Sequence, residues 1–268
     1  MLIAPMVICV YKVMFALPRA GRKTRVHRYG VGVPHLFLLS WRVMSELSIF
    51  IDESGDFGEY QPIAPYYIVT MVFHDQSNDI NECLISLEHE LTYLGYPQHC
   101  LHAGPIIRME SEFKYEDIVV RRKILMKMMG FVRKTKIKFK SFYIEKRNVE
   151  DITDATGKLS KQIGEWVKNN YEMLLSYDIV KIYYDNGQVE LSRILASVFN
   201  VLLPSVVTKK VVPSDYRLFQ AADFICTMKL SELKLEKHTL SIQEQRFFGG
   251  EDGLYKNYLK DLKKYEFE

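Results

Sequence analysis

The sequence predicts a single α/β domain built on a mixed five-stranded sheet with helices on both faces. Five short segments rich in β-branched and aromatic residues have strand character, and amphipathic segments with helical spacing separate most of them. The first two strand-like segments follow each other directly, whereas the later ones alternate with helices. This order is typical of a sheet with an antiparallel half and a parallel half.

The predicted strands share apolar runs that stop at turn-forming residues. They are, in chain order, residues 47–53, 66–73, 137–144, 179–184 and 206–212. The loop between the first two contains Pro62 and Pro65 and has no helical pattern. These two strands are therefore expected to pair antiparallel.

The predicted helices carry apolar residues at intervals of three and four. They are residues 78–94, 115–133, 159–175, 190–203, 218–230 and 254–262. We expect Gly95 and Pro204 to end two of them and Thr156 to cap the third. Ser214 and Asp215 are expected to cap the helix at 218–230.

Residues 1–43 differ in composition from the rest of the chain. They contain seven basic and no acidic residues, whereas the remainder carries 29 basic and 33 acidic residues. The segment has neither an apolar run of the roughly 18–20 residues that span a membrane nor the basic start of a secretory signal. A mitochondrial-type presequence and an over-extended reading frame initiating at Met44 are the alternatives, and the second is favoured because Met44 leads directly into the first strand. The domain is predicted to comprise residues 44–268, with residues 1–43 outside its core.

The cysteines and the charge limit the possible classes of protein. Four cysteines lie far apart without a CxxC pair, which excludes a disulfide framework or a cysteine zinc site and predicts a cytoplasmic location without membrane association. Because the body is mildly acidic, its overall charge gives no support for nucleic-acid binding.

Two acidic segments directly follow predicted strands. Asp52 and Glu53 end the first strand before a glycine turn, and Asp185 follows the fourth strand within Asp-Asn-Gly. Both segments are compatible with ordinary turns, in which aspartate accepts a backbone hydrogen bond and Asn-Gly forms the bend. Neighbouring carboxylates repel one another unless a cation or hydrogen bonds hold them, so a metal site is the alternative.

Asp223 distinguishes these alternatives best, because it lies inside an apolar helical segment and not at a turn. Gln220 lies three residues earlier on the same helix face. A carboxylate in a buried helix is costly unless it is paired or bound to a cation. His102, in a loop after the first helix, is a further candidate, although a single loop histidine is more often a surface or packing residue.

Carboxylates from two strand ends and one helix supply oxygen ligands from separate elements, as Mg²⁺ or Mn²⁺ requires. With two such ions, phosphodiester hydrolysis follows, because one ion activates water and the other stabilises the leaving oxygen. Asp52, Asp185 and Asp223 are therefore predicted metal ligands and, together with Glu53, predicted catalytic residues.

The segments IDESGD, YYDNGQ and LFQAADFI, with LHAG between the first two, resemble an uncharacterised bacterial and phage-associated family, DUF3800 (a domain of unknown function). The resemblance covers residues 46–235. That family is grouped with ribonuclease H-like folds, so the resemblance implies a ribonuclease H-like mixed sheet of five strands. It also implies that Asp52, Asp185 and Asp223 occupy the carboxylate positions, and Glu53 and Gln220 match further motif positions.

Gln220, His102, Lys134 and Lys136 are the predicted substrate-binding residues. The two lysines begin a run of four at alternate positions, 134 to 140, which would line one face of a strand. An exposed edge strand protected by lysines is the alternative interpretation of this run.

Two functions remain open from the sequence. One is a divalent-metal-dependent nuclease, or a related phosphoryl-transfer enzyme, acting on DNA or RNA. The other is a non-catalytic nucleic-acid-binding or sensing module of mobile-element or anti-phage systems. The acidic body favours the second, because phosphate binding usually requires basic surface.

Overall fold

The computed structural model describes residues 44–62 and 64–268, so the predictions for residues 1–43 lie outside the described residues. The strands are β1 (Glu46–Ser54), β2 (Tyr66–Asp75), β3 (Lys138–Glu145), β4 (Ile179–Tyr184) and β5 (Val206–Lys210). The helices are α1 (Asn81–Tyr93), α2 (Ala103–Arg108), α3 (Ile118–Thr135), α4 (Ile152–Asn169), α5 (Tyr171–Leu175), α6 (Val189–Leu202), α7 (Arg217–Glu236), α8 (Ile242–Phe248), α9 (Glu251–Leu254) and α10 (Lys260–Leu262).

The five strands form one sheet in the order β3-β2-β1-β4-β5. β1 pairs antiparallel with β2, and β2 pairs antiparallel with β3. β4 runs parallel to both β1 and β5. The predicted mixed sheet of five strands is confirmed, including the antiparallel pairing of its first two members.

Each face of the sheet carries its own apolar core, because successive side chains of a strand point to opposite faces. On one face Phe50 of β1 packs in the core that contains Phe219 of α7, together with residues of α1, α2 and α3. On the other face Ile49 and Ile51 pack with residues of α4 and α6, among them Ile163. Helices therefore cover both faces, as predicted.

Two predicted helix caps are wrong. α4 begins at Ile152, because Asp151 accepts a hydrogen bond from the Asp154 amide at 2.8 Å and caps the helix. Thr156 lies inside the first turns and donates to the Ile152 carbonyl instead of capping.

The predicted cap of α7 is also wrong, although the helix begins at Arg217, one residue from the predicted start. Ser214 and Asp215 lie in a 3₁₀ turn (Pro213–Asp215), and Tyr216 precedes α7 without a side-chain cap.

Two short helices were not predicted. α2 follows His102 directly, and α8 starts at a capping box in which Ser241 and Glu244 bond each other's backbone amides. The Ser-Ile-Gln-Glu pattern is a sequence signal for that start. Among the described residues, none of the helices combines the length and apolar character needed to cross a membrane.

Candidate active site

The parallel pairing of β1 and β4 places two of the predicted carboxylates side by side. Phe50 is the register partner of Tyr183, and Asp52 and Asp185 each follow two residues later. Neighbouring strands lie about 4.8 Å apart, so both aspartates reach the same edge of the sheet. Asp52 also shares the face of Phe50, because residues two apart on a strand point the same way.

α7 brings Asp223 to that face, since Phe219 and Phe224 of this helix pack in the same core as Phe50. Burial, followed by the nearby charges of Asp223, Glu53 and Asp185, raises the pKa of Asp52 well above its usual value. The charges of the other three predicted catalytic carboxylates thus act on Asp52, and we call these four residues the acidic cluster (Asp52, Glu53, Asp185 and Asp223). Like charges at this density strongly favour the protonated form of the most buried member.

Glu53 is hydrogen-bonded to Tyr184, whose hydroxyl donates to Glu53 Oε1 at 2.9 Å. Burial is the main cause that raises the pKa of Glu53 to about 7; the hydrogen bond from Tyr184 opposes this rise, and Asp185 adds to it. The second carboxylate oxygen, Oε2, is buried and has no hydrogen-bond partner within the described part of the chain. A buried carboxylate oxygen without a partner is costly, and it points to a missing ligand or water.

The turn after β4 closes around the same space. A Cβ atom added to Gly187 would lie 2.6 Å from Glu53 Oε1 and 3.2 Å from Asp185 Oδ1. These two carboxylate oxygens therefore face one small volume that only glycine leaves open. Asp185 Oδ1 also accepts a hydrogen bond from the Gly187 amide at 2.8 Å, so the segment is both an ordinary turn and part of the cluster.

Asp223 joins the cluster to the segment before α2. Its Oδ2 accepts a hydrogen bond from the Ala103 amide at 2.7 Å, and its Oδ1 lies 4.0 Å from His102 Nδ1. The side chain of Asp223 is 21% exposed and that of His102 is 47% exposed, so this side of the cluster opens to solvent.

His102 carries positive charge beside the carboxylates. The Asp223 carboxylate, together with Cys100, whose Sγ lies 3.6 Å from Nε2, raises the pKa of His102 to about 10. The 4.0 Å separation from Asp223 is that of an ion pair and exceeds a direct hydrogen bond. A cationic imidazole at this exposed rim is suited to contact an anionic group.

The prediction that Gln220 binds substrate is wrong. Gln220 is 2% exposed, and its Oε1 accepts hydrogen bonds from the Leu101 amide and the Arg217 guanidinium. Its Nε2 donates to the Pro213 carbonyl at 3.2 Å. These bonds use the amide entirely inside the protein, where it fixes the segment that carries His102.

The prediction for Lys134 and Lys136 is also wrong. Lys134 lies at the end of α3 and donates to Ser86 Oγ at 3.0 Å, and Lys136 adopts a left-handed conformation (φ 52°) before β3 starts. The alternation therefore holds only for the last two lysines of the run. The first residue of β3 lies in register with Phe73 and, through it, with Ile49 of β1. Asp52 lies three residues beyond Ile49, about 10 Å along β1, and β1 is separated from β3 by β2.

Sequence reasoning missed three residues next to the cluster. Lys209 and Lys210 are exposed on β5 in register with Tyr183 and Tyr184, directly beside Asp185. The strand-end position of the Lys-Lys pair, two residues before the predicted end of the strand, was an available signal. Tyr184 gave none, because a tyrosine at the end of an apolar strand is an ordinary core residue.

The acidic cluster meets the requirements of a divalent cation in the chemistry of its donors but not in their arrangement. Among the described residues, no three His, Cys, Asp or Glu side chains are arranged to hold one ion together. The chemistry of the donors nevertheless fits a hard cation, since the cluster offers carboxylate oxygens alone, and Glu53 Oε2 is buried without a partner. The residues therefore fit Mg²⁺ or Mn²⁺ in kind, and ligation requires the carboxylates to rotate.

Comparison with known proteins gives structural likeness only. No family model and no curated protein matches the sequence. Among solved structures, a chain of the PCNA:RNase HII complex from Archaeoglobus fulgidus is 14% identical, with a TM-score of 0.36 over 76% of this chain and 86% of that chain. The ribonuclease H2 of Pyrococcus horikoshii OT3 is 13% identical, with a TM-score of 0.35 over 82% and 98%. Bst-RNase HIII in complex with Mn²⁺ is 12% identical, with a TM-score of 0.33 over 82% and 71%.

Likeness at this level carries no argument about activity. The sheet has the predicted antiparallel and parallel halves, and the structure adds the strand order β3-β2-β1-β4-β5. The chain therefore has an α/β fold, with a mixed five-stranded sheet covered by helices on both faces.

Proposed function

We propose that this chain is a divalent-metal-dependent nuclease, a phosphodiester hydrolase of the DUF3800 type. One observation carries the proposal: Asp52, Glu53, Asp185 and Asp223 form one cluster in which burial and mutual repulsion raise the pKa of Asp52. Such an arrangement opposes the stability of the fold, because it holds like charges close together away from water. A bound cation reverses this cost, and a functional site is the reason to retain it.

Asp52, Asp185 and Asp223 would hold the cation or cations, since they approach from two strand ends and a helix. One or two ions bound there would supply charge stabilisation at the phosphate and lower the pKa of an attacking water. Glu53 is oriented by Tyr184, and its Oε1 faces the same small volume as Asp185 Oδ1, so it would orient that water through a hydrogen bond.

The groups around the cluster supply contacts for a polyanion, although the body of the protein is acidic. His102 stands at the exposed rim beside Asp223, and Lys209 and Lys210 lie exposed on the strand next to Asp185. Lysine and histidine side chains at these positions would contact phosphate oxygens on both sides of the cleaved bond. A nucleic acid is therefore the substrate class that the surroundings of the cluster support.

The proposal is tested by incubating purified protein with single-stranded and double-stranded DNA and RNA in Mg²⁺ or Mn²⁺, with EDTA as the stopping agent. Asp52→Asn keeps the shape of the side chain but removes its charge, and we expect it to abolish cleavage. Asp252→Asn is the matched control, because Asp252 is an exposed carboxylate on α9 and we expect its loss to leave cleavage unchanged.

Two outcomes would overturn the enzyme assignment. The first is a wild-type protein that cleaves none of these substrates. The second is cleavage that survives both EDTA and Asp52→Asn. Binding of nucleic acid without cleavage would instead support the non-catalytic module.

A further inference from the structure

A pocket of about 470 Å³ opens on the sheet face that carries Asp52, nearer the start of β1. Its floor is formed by Phe50 and Tyr183, cross-strand neighbours whose rings stack with their centres 4.5 Å apart. Tyr216 forms one wall, and its ring packs at an angle on both floor rings, at 5.6 and 5.3 Å. The volume lies in the range of pockets that take small organic ligands.

A polar part of the lining comes from the segment between β2 and α1. Asn78 and Asn81 are exposed there, and within the described residues their side-chain amides form no hydrogen bond. The segment is nevertheless held in place, because His74 Nε2 bonds the Asn78 carbonyl at 3.0 Å and Gln76 Nε2 donates to Ser48 Oγ at 2.8 Å. Amide groups with both donors and acceptors thus line the same pocket as the three aromatic rings.

A pocket lined by aromatic rings and by amides without partners offers the groups that bind a nucleobase. Unpaired bases are bound by stacking on aromatic rings and by hydrogen bonds to their polar edges, which asparagine and glutamine can supply. Tyr216 is 36% exposed, so part of its ring is free for stacking. Lys209 Nζ lies 5.7 Å from the centre of the Tyr183 ring and places a positive charge at the rim.

The pocket adjoins the acidic cluster along strands β1 and β4. Phe50 and Tyr183 precede Asp52 and Asp185 by two residues on the same two strands. Two residues of extended chain span about 7 Å, and the side chains of Phe50 and Asp52 point to the same face. A nucleotide next to a phosphate at the acidic cluster would therefore reach the pocket with its base.

We propose that this pocket binds an unpaired nucleobase beside the cleaved phosphate, so that the substrate contains at least one single-stranded nucleotide there. The inference rests on the proposed nucleic-acid substrate. It adds Tyr216 as the stacking residue and Asn78 as a residue that discriminates between bases.

Binding is measured by fluorescence anisotropy with labelled eight-nucleotide single strands of each base and with a blunt duplex, all in EDTA so that no cleavage is needed. Tyr216→Ala is expected to weaken binding of single strands roughly tenfold, the effect of losing one stacked base. Tyr216→Phe keeps the ring and is expected to bind like wild type. Asn78→Ala changes an exposed side chain and is expected to reduce the difference in affinity between the four bases.

Tyr171→Ala is the matched control, since Tyr171 is an equally exposed tyrosine on α5. Equal binding by wild type and Tyr216→Ala, or tighter binding of the duplex than of single strands, would overturn the pocket. If binding depends on Tyr216 but the protein never cleaves, the base-binding proposal stands and only the proposed nuclease activity is overturned. If cleavage depends on metal but binding does not depend on Tyr216, the nuclease proposal stands and the base-binding proposal is overturned.

Discussion

Tyr184 Oη donates a hydrogen bond of 2.9 Å to Glu53 Oε1 and accepts one of 2.8 Å from the Gln188 amide. One hydroxyl thus connects the carboxylate at the end of β1 to the start of α6. Because the bond stabilises the charged form of Glu53, it limits the rise in the pKa of this group that burial causes.

Tyr184→Phe removes that bond and should raise the pKa of Glu53 above its wild-type value of about 7. The acid limb of the pH–rate profile for cleavage should therefore move to higher pH, and the free energy of unfolding should fall by about 1 kcal/mol. Tyr67→Phe is the control, because the buried Tyr67 hydroxyl has no hydrogen-bond partner among the described residues. An unmoved acid limb in Tyr184→Phe would show that Glu53 does not act in the reaction.

The stability of the metal-free protein should depend on pH through Glu53. Its pKa is about 7 in the folded protein, compared with a usual value of 4.5, mainly because of burial. The folded state therefore binds the proton more tightly than the unfolded state. It follows that the contribution of Glu53 to stability is highest below pH 4.5, falls as the pH rises to about 7, and is constant above that.

Urea unfolding in EDTA at pH 4.5, 6 and 8 measures this dependence. Glu53→Gln no longer titrates, so it should be more stable than wild type at pH 8 by on the order of 1–2 kcal/mol, with the difference lost at pH 4.5. Asp52, whose pKa is also raised, contributes with the same sign. A wild-type stability that increases between pH 4.5 and 8 contradicts this assignment of the charges.

Asp223 should have two separable roles. Asp223→Asn keeps an oxygen for the Ala103 amide but loses the charge that raises the pKa of His102, so that pKa should fall from about 10 toward the usual 6.5. Asp223→Ala leaves the amide without its partner and should destabilise the fold by about 1–3 kcal/mol. NMR titration of the His102 imidazole and urea unfolding measure the two effects. An unchanged imidazole titration in Asp223→Asn would exclude the pairing of these side chains.

Lys209 and Lys134 should differ in their effect on nucleic-acid binding. Lys209→Ala should weaken binding and lower the slope of log K against log salt by about 1, since it removes one phosphate contact. Lys134→Ala is the matched control, because Lys134 bonds Ser86 at the other end of the sheet. Measuring affinity from 50 to 200 mM salt separates the two, and an equal change in both variants would exclude a specific contact by Lys209.

The sequence predicts the fold well because the strands carry strong apolar patterns that end at clear turns. The sheet order β3-β2-β1-β4-β5 was not predicted, since pairing between distant strands leaves no local signal in the sequence. Asp52 and Asp185 were found because strand ends can be located in the sequence. Asp223 was found because a carboxylate is unusual in an apolar helix.

The wrong predictions for the lysine run and for Gln220 have physical causes in the folded structure. The spacing of the four lysines predicts one face of a single strand. Lys136 instead adopts a left-handed conformation between the end of α3 and the start of β3. Gln220 is buried, and its side-chain oxygen accepts a hydrogen bond from the Leu101 amide, 119 residues away in the chain. Such contacts are set by tertiary packing and cannot be inferred from spacing along the chain.

Titration calorimetry with Mn²⁺ tests the central claim, that the acidic cluster is a site for a hard cation. The wild-type protein should bind one or two ions per chain. Asp52→Asn and Asp223→Asn should each weaken binding at least tenfold, because an uncharged amide loses most of the attraction for the ion. Asp252→Asn should bind like wild type. Absence of Mn²⁺ binding by the wild type, or equal binding by Asp52→Asn and Asp252→Asn, would contradict the claim.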